Sequence, residues 1–457
     1  MRGSMKQYKP ILSFILILAL AGCSPPPARV VNLAHLDRLC EDVTIQGMPC
    51  TIVHIYSDAP DYGWSDAPGE GIACIDDVAR AAIVYMRAAG TDDGRYRPRI
   101  RRLLNFVLAL QVEDGTFYNF VNKDMTINRT GTTSHHSFGF WAARGYWALA
   151  AGYVFFKDRD EAFAAQLQRA WLRCLPQLNK LVEAYDDYQR LDGQSYPTWL
   201  LNLYAADATS EFLLGAAEYL AVERDPALQQ PVAKLADGVV AMQAFSDSCL
   251  HGAFYSWPGY WHAWGNAQVQ ALPRLAAVLG HPHWLQQAEL SGRSFLSKLL
   301  AGHWLNEYDF AARKAKAFPQ IAYGVRTTAL GFLQLYRASG DEHYAILAGL
   351  AASWLTGNNI AGQPLYDAAT GRCYDGIDRG GINHNAGAES TIEALYTLIE
   401  IEKVPLAAAW LHARSQQPWG DANWPLLQEM RRTFSVKNKT IVLTWHAQSR
   451  DFTLEYP

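Results

Sequence analysis

Four carboxylates stand where acid–base chemistry is possible. Asp76 and Asp77 are adjacent, Glu211 follows Thr209-Ser210, and Glu389 follows the amide- and imidazole-rich stretch Asn383-His384-Asn385. Cleavage of a glycosidic bond needs two carboxyls, one holding a proton for the leaving oxygen and the other ionised on the opposite face. The pair expected here is Asp76 or Asp77 with Glu389, with Glu211 as the reserve. Neighbouring helical residues point about 100° apart, so only one of Asp76 and Asp77 easily faces a shared cleft. Ordinary structural roles compete at each position: a capped helix start with an Asp76–Arg80 pair, and a first-turn carboxylate that complements the helix dipole at Glu389. Hydrogen-bonding groups for sugar hydroxyls are expected from His135, His136, Asn266, Arg326, Asp378, Asn383, His384 and Asn385. Trp199, Trp257, Trp261, Trp264 and Tyr323 offer flat apolar rings that stack on sugar faces.

Helical segments must bring these distant residues together. From about residue 72 the chain alternates between two helix types. One is apolar nearly all round, as in Phe138-Gly139-Phe140-Trp141-Ala142-Ala143, and such a helix is buried on most sides. The other is amphipathic: Leu103, Phe106, Val107 and Leu110 recur at helical spacing while Arg101, Arg102 and Asn105 face away. The pairs fall near 74–89 with 98–112, 138–157 with 160–184, 205–223 with 225–244, 265–279 with 282–301, 321–338 with 341–356, and 386–402 with 404–416. Short links join the two helices of a pair, and loops of roughly twenty residues, unusually long, separate the pairs. Six buried helices inside six amphipathic ones make a closed double ring. Every long loop then feeds the N-terminus of a buried helix, so those termini gather at one pole, where free N–H groups favour acceptors and carboxylates.

This layout resembles the (α/α)6 toroid of the six-hairpin glycosidase superfamily, over about residues 70–417, and the turn in Gln111-Val112-Glu113-Asp114-Gly115-Thr116-Phe117 is similar to one common in those toroids. The resemblance implies an all-α fold with its cleft where the long loops meet, and an oligo- or polysaccharide substrate. It leaves three activities open. A glycoside hydrolase is the first reading. A polysaccharide lyase or sugar epimerase, with His or Tyr as acid and base, suits His135, His136, His262 and His384. A glycan-binding protein without catalysis would lack two cleft carboxylates within the roughly 5–9.5 Å of glycosidases. Small β appendages flank the toroid: Thr51 to Tyr56, Thr440 to Trp445 and Phe452 to Tyr456 read as strands.

Of 457 residues, 50% are hydrophobic, enough for a large core, and the net charge of -4 argues against a nucleic-acid partner. No HExxH or CxxC…CxxC spacing, P-loop, GxGxxG turn or GxSxG elbow occurs, so neither metal nor cofactor is expected. Arg2, Lys6 and Lys9, then Ile11 to Ala19, read as a signal segment too short to span a bilayer comfortably. The segment ends in Leu20-Ala21-Gly22-Cys23, which resembles a bacterial lipobox. The resemblance implies cleavage, lipidation of Cys23, a tether through Pro25 to Pro27, and anchoring in the cell envelope. Ser24 follows the cysteine, so the acidic inner-membrane retention signal is absent and the outer membrane is expected. The expected organisation is a signal segment over 1–23, an extension with a strand over 24–70, the toroid over 71–417 and a β appendage over 418–457. Cys40 and Cys50 close a short loop that an oxidising compartment would allow to be bridged.

Overall fold

The computed structural model describes residues 30–90, 94–245, 250–420 and 428–457; Cys23 and the signal segment lie outside them. Six inner helices, Ile75–Ala89, Phe140–Phe156, Ala206–Leu220, Gln268–Leu279, Ala322–Ser339 and Ala388–Glu402, form the core. Each packs against the next, and the sixth packs against the first, so the ring closes. The second and third inner helices come closest. A Cβ on Gly215 would lie 2.7 Å from the Cα of Trp147, so only glycine permits that approach.

The outer helices begin with strong local signals. Asp160, Asp225 and Asp341 cap Glu161–Leu172, Pro226–Ala241 and Glu342–Ala352 through their side chains. Proline stands in the first turn of Arg97–Leu110 and Pro282–Ser291. The inner helices differ. Gly139, Ala205, Ala267, Ile321 and Gly387 provide no side-chain cap, and only Cys74 does so. Loop carbonyls take part of that role: the Ala206 amide donates to the Ser256 carbonyl at 3.0 Å and the Ala388 amide to the Ile55 carbonyl at 2.9 Å, which ties the converging long loops to this pole.

Two expectations need correction. The sixth outer helix, expected over 404–416, is a single turn, Pro405–Ala408. The N-terminal helix Ala34–Leu39 lies against the sixth inner helix instead, and beyond residue 408 the chain turns away to the strand Arg414–Ser415. That strand opens a four-stranded antiparallel sheet with Met430–Val436, Lys439–His446 and Asp451–Glu455. The sheet is pinned to the fourth outer helix, where Trp445 donates to the Ser294 carbonyl at 3.0 Å. The other correction concerns Cys40 and Cys50. The hairpin Cys40–Ile45 with Met48–Val53 sets Cys40 opposite Val53 and Val43 opposite Cys50. The two thiols point to opposite faces of the ribbon, three positions apart, and both are free.

Gly215→Ala is expected to cost about 1–3 kcal/mol, the usual penalty for forcing atoms into a filled core. Urea unfolding measures it, and an unchanged midpoint would contradict the close helix contact.

Candidate active site

The cleft opens at the pole of the inner-helix N-termini. Its larger lobe, about 770 Å³, is walled by Phe140, Trp141, Tyr204, Trp257 and Trp264, with Arg144 and Asp207 among its polar groups. The smaller lobe, about 350 Å³, is lined by Glu70, Asp77, Asp375 and Ser390 and bordered by Tyr56 of the N-terminal segment. Asp76, Trp141, Ile321, Tyr323 and Glu389 line both lobes and so mark their junction.

Beneath the junction lies a buried ionic network built from five inner helices. Arg80 meets Asp76 at 2.9 Å, Asp77 at 3.1 Å, Glu389 at 3.5 Å and Glu393 at 2.5 Å. Arg326 contacts Glu211 at 2.5 Å and Glu393 at 2.7 Å, and donates to Gln270 at 3.0 Å. Arg144 contacts Asp76 at 2.5 Å and stands 3.9 Å from Glu211. All three guanidinium carbons lie 4.9–5.3 Å from the Tyr323 ring centre. Five carboxyls therefore face three guanidiniums, and a water-poor interior does not hold two unmatched anions.

The excess falls on Asp77 and Glu389. Burial pushes the Asp77 carboxyl up to about 6, with Arg80 opposing and Asp76 reinforcing the shift. Burial likewise pushes Glu389 up to about 7; Arg80 opposes it, and Asp76 and Asp77 add to it. Glu393 goes the other way. Burial opposes its ionisation, but Arg326 and Arg80 hold it below the usual range. Glu389 keeps 47% of its side-chain surface open to the cleft, against 9% for Asp76 and 5% for Asp77. It is thus the network's proton-bearing carboxyl that a ligand can reach. Asp76 and Glu389 lie 3.1 and 3.5 Å from the same nitrogen, Nη2 of Arg80. Those two oxygens are therefore at most about 6.6 Å apart, the two contacts laid end to end.

The other expected residues divide clearly. Trp257, Trp264 and Tyr323 line the cleft, but the guanidiniums around Tyr323 occupy its ring, so it forms part of the floor instead of a stacking wall. Glu211 and Arg326 are fully buried beneath the cleft as an ion pair. Neither lobe is lined by His135, His136, Trp199, Trp261, Asn266, Asp378, Asn383, His384 or Asn385. His135 and His136 are exposed, and His136 bonds Thr116 at 2.6 Å in the turn beside Asp114. Trp199 is buried outside the cleft and donates to the Lys234 carbonyl; Trp261 packs edge-on against Phe295. Asn266 bonds Ser256 and the His262 carbonyl. Asp378 and Asn383 sit on the exposed hairpin Gly376–Asp378 with Gly381–Asn383; His384 is also exposed, edge-on to Tyr374. Asn385 accepts from the Ala59 amide and ties down the N-terminal segment.

Sequence reasoning missed Arg144, Glu393 and Trp141. An arginine inside an otherwise apolar helix was a usable signal, because a buried guanidinium must find carboxylates. Glu393 lies one turn beyond Glu389, on the same helix face. Asp207 accepts from Nε2 of buried His262 at 3.1 Å, while Trp264 stacks on the imidazole at 3.6 Å. Among the described residues no cluster of side chains is arranged to hold a metal ion.

No protein-family model and no curated protein matches the chain. Solved structures do. Cellobiose 2-epimerase from Bacillus thermoamylovorans is 11% identical over 82% of this chain and 96% of that one, with a TM-score of 0.57. A sugar epimerase from a ruminal bacterium is 12% identical over 83% and 97%, at 0.55. Cellobiose 2-epimerase from Spirochaeta thermophila is 15% identical over 77% and 90%, at 0.52. The fold is an (α/α)6 toroid. Identities this low speak for the fold alone, and no family is assigned.

Arg326→Met is expected to destabilise the protein by about 3–5 kcal/mol, because it takes the shared guanidinium from buried Glu211 and Glu393 and leaves Glu211 with only Arg144, 3.9 Å away. A loss below about 1 kcal/mol in denaturant unfolding, typical of an exposed ion pair, would contradict the network.

Proposed function

We propose that the chain is a carbohydrate-active enzyme, a glycoside hydrolase in which Glu389 is the general acid and Asp76 its ionised partner. The observation that carries this reading is Glu389 itself: a carboxyl that keeps its proton to about pH 7, open to an aromatic-walled cleft. A sugar ring stacked on Trp257 or Trp141 would bring its glycosidic oxygen over the junction. Glu389 would give its proton to that oxygen as the C–O bond breaks. Asp76, paired with Arg80 and Arg144, would assist attack at the anomeric carbon, and water would supply the hydroxyl of the new reducing end.

A second reading, sugar epimerisation, is favoured by one feature: Asp207 at the wall of the larger lobe, backed by the imidazole of buried His262 at 3.1 Å, a carboxyl–imidazole arrangement through which a proton could be removed and returned. Three structural neighbours above 0.5 in TM-score are sugar epimerases, which supports a carbohydrate substrate under either reading.

A panel of oligo- and polysaccharides separates the outcomes. Hydrolysis releases new reducing ends, epimerisation leaves the mass unchanged, and a lyase yields an ultraviolet-absorbing product. We expect reducing ends, with kcat/KM falling as pH rises through about 7 because Glu389 loses its proton. Glu389→Gln should lower kcat by about 10²–10⁴ and abolish that limb. Full activity in this variant would remove Glu389 from the chemistry.

We also propose that Cys23 carries a lipid and holds the enzyme in the cell envelope; the support is the signal-like segment and its Leu20-Ala21-Gly22-Cys23 ending. Cys23→Ala should move the protein from the membrane to the soluble fraction and remove an acyl mass from the N-terminal peptide. A wild-type protein that is soluble and unacylated would contradict the anchor.

A further inference from the structure

The path of the N-terminal segment carries a further inference about how the cleft is presented. The backbone N–H of Val30 donates to Glu402 at 2.7 Å, and Glu402 is the last residue of the sixth inner helix. Tyr366 fastens the same place, donating to the Val30 carbonyl and accepting from the Asn32 amide. Five residues further on, His35 bonds the Ala386 carbonyl at 2.8 Å, beside the first turn of that helix. The chain therefore climbs the sixth inner helix from its C-terminal end towards the cleft. Val30 itself therefore lies at the pole opposite the cleft. Glu389 and Glu402 are thirteen residues apart on one helix, about 20 Å.

We propose that the lipid anchor attaches at the pole remote from the cleft, so that the toroid stands with its cleft turned away from the bilayer. This rests on the lipidation of Cys23 proposed above. Six residues lie between Cys23 and Val30, and the seven steps from one to the other span at most about 25 Å. To set the cleft against the membrane, about 20 Å of that reach would be used in retracing the helix, leaving almost none to pass the loops at the cleft rim. The enzyme then takes glycans from the aqueous side, soluble or wall-borne, and not glycolipids of the leaflet that holds it. The opposite arrangement has a physical case of its own. Tyr56, Trp64 and Leu203 are 42%, 47% and 51% exposed on the cleft side, and exposed aromatics also suit a membrane interface. Trp64, however, is stacked on His54 with ring centres 3.8 Å apart, which holds it as a fixed platform.

Energy transfer tests the orientation without any substrate. Leu203→Cys at the cleft rim and Val222→Cys at the other pole, where Val222 is 40% exposed, receive a donor dye in the full-length lipidated protein. The protein is bound to phosphatidylethanolamine–phosphatidylglycerol vesicles carrying a headgroup acceptor, and unsubstituted protein is the labelling blank. Transfer should be at least about twofold stronger from position 222 than from 203, given about 20 Å of intervening helix. Equal or reversed transfer from vesicle-bound protein would overturn the orientation and leave the anchor standing. Failure of both proteins to bind vesicles would overturn the anchor and the orientation together.

Discussion

A mismatch of charge at the heart of the toroid organises the cleft. Asp76, Asp77, Glu211, Glu389 and Glu393 converge on only Arg80, Arg144 and Arg326, in an interior with little water to solvate a surplus. The least well paired carboxyls therefore hold their protons to higher pH than they would in solution. The best-connected carboxylate, Glu393, lies between two guanidiniums and is held ionised. The surplus settles on Asp77 and Glu389, and of these only Glu389 opens widely to the cleft. An acid usable near neutral pH thus follows from the counting of charges on neighbouring helices, with no dedicated device around Glu389 itself.

The closed ring makes that counting possible. The network draws on the first, second, third, fifth and sixth inner helices, with Gln270 of the fourth bonded to Arg326. No short segment could supply it. The inner helices are apolar because they are buried on nearly all sides; most charges of their N-terminal halves meet in this network, while Arg87, Glu218, Arg274, Arg337 and Glu400 pair among themselves nearer the other end. Above the network, leading amides of the inner helices bond carbonyls of the converging loops, as Ala388 does with Ile55 and Ala206 with Ser256. The outer helices, by contrast, are fixed by aspartate caps and first-turn prolines, and they take little part in the site.

Much of this was legible in the sequence. The all-round apolar helices alternating with amphipathic ones announced the double ring, and the long loops announced which pole carries the cleft. The convergence of Asp76, Asp77 and Glu389 followed from that topology. What the sequence concealed is the direction in which individual side chains point. Asn383, His384 and Asn385 precede Glu389 closely, yet a tight hairpin turns the first two outwards and commits the third to the N-terminal segment. His135 and His136 stand at a loop end that never reaches the cleft. Trp199 and Trp261 pack as ordinary core residues. The sixth outer helix failed because its place is taken by Ala34–Leu39 from the far end of the chain, a substitution no local periodicity can reveal.

The account stands or falls on the protonation of Glu389. Carboxyl stretching bands followed by infrared difference spectroscopy, wild type against Glu389→Gln, isolate that one group across pH 4 to 9. A band that titrates near 7 in the wild type and is missing in the variant is the predicted result. A Glu389 band titrating near the ordinary value of 4.5 would mean that the network leaves no proton at the cleft floor, and would contradict the central claim.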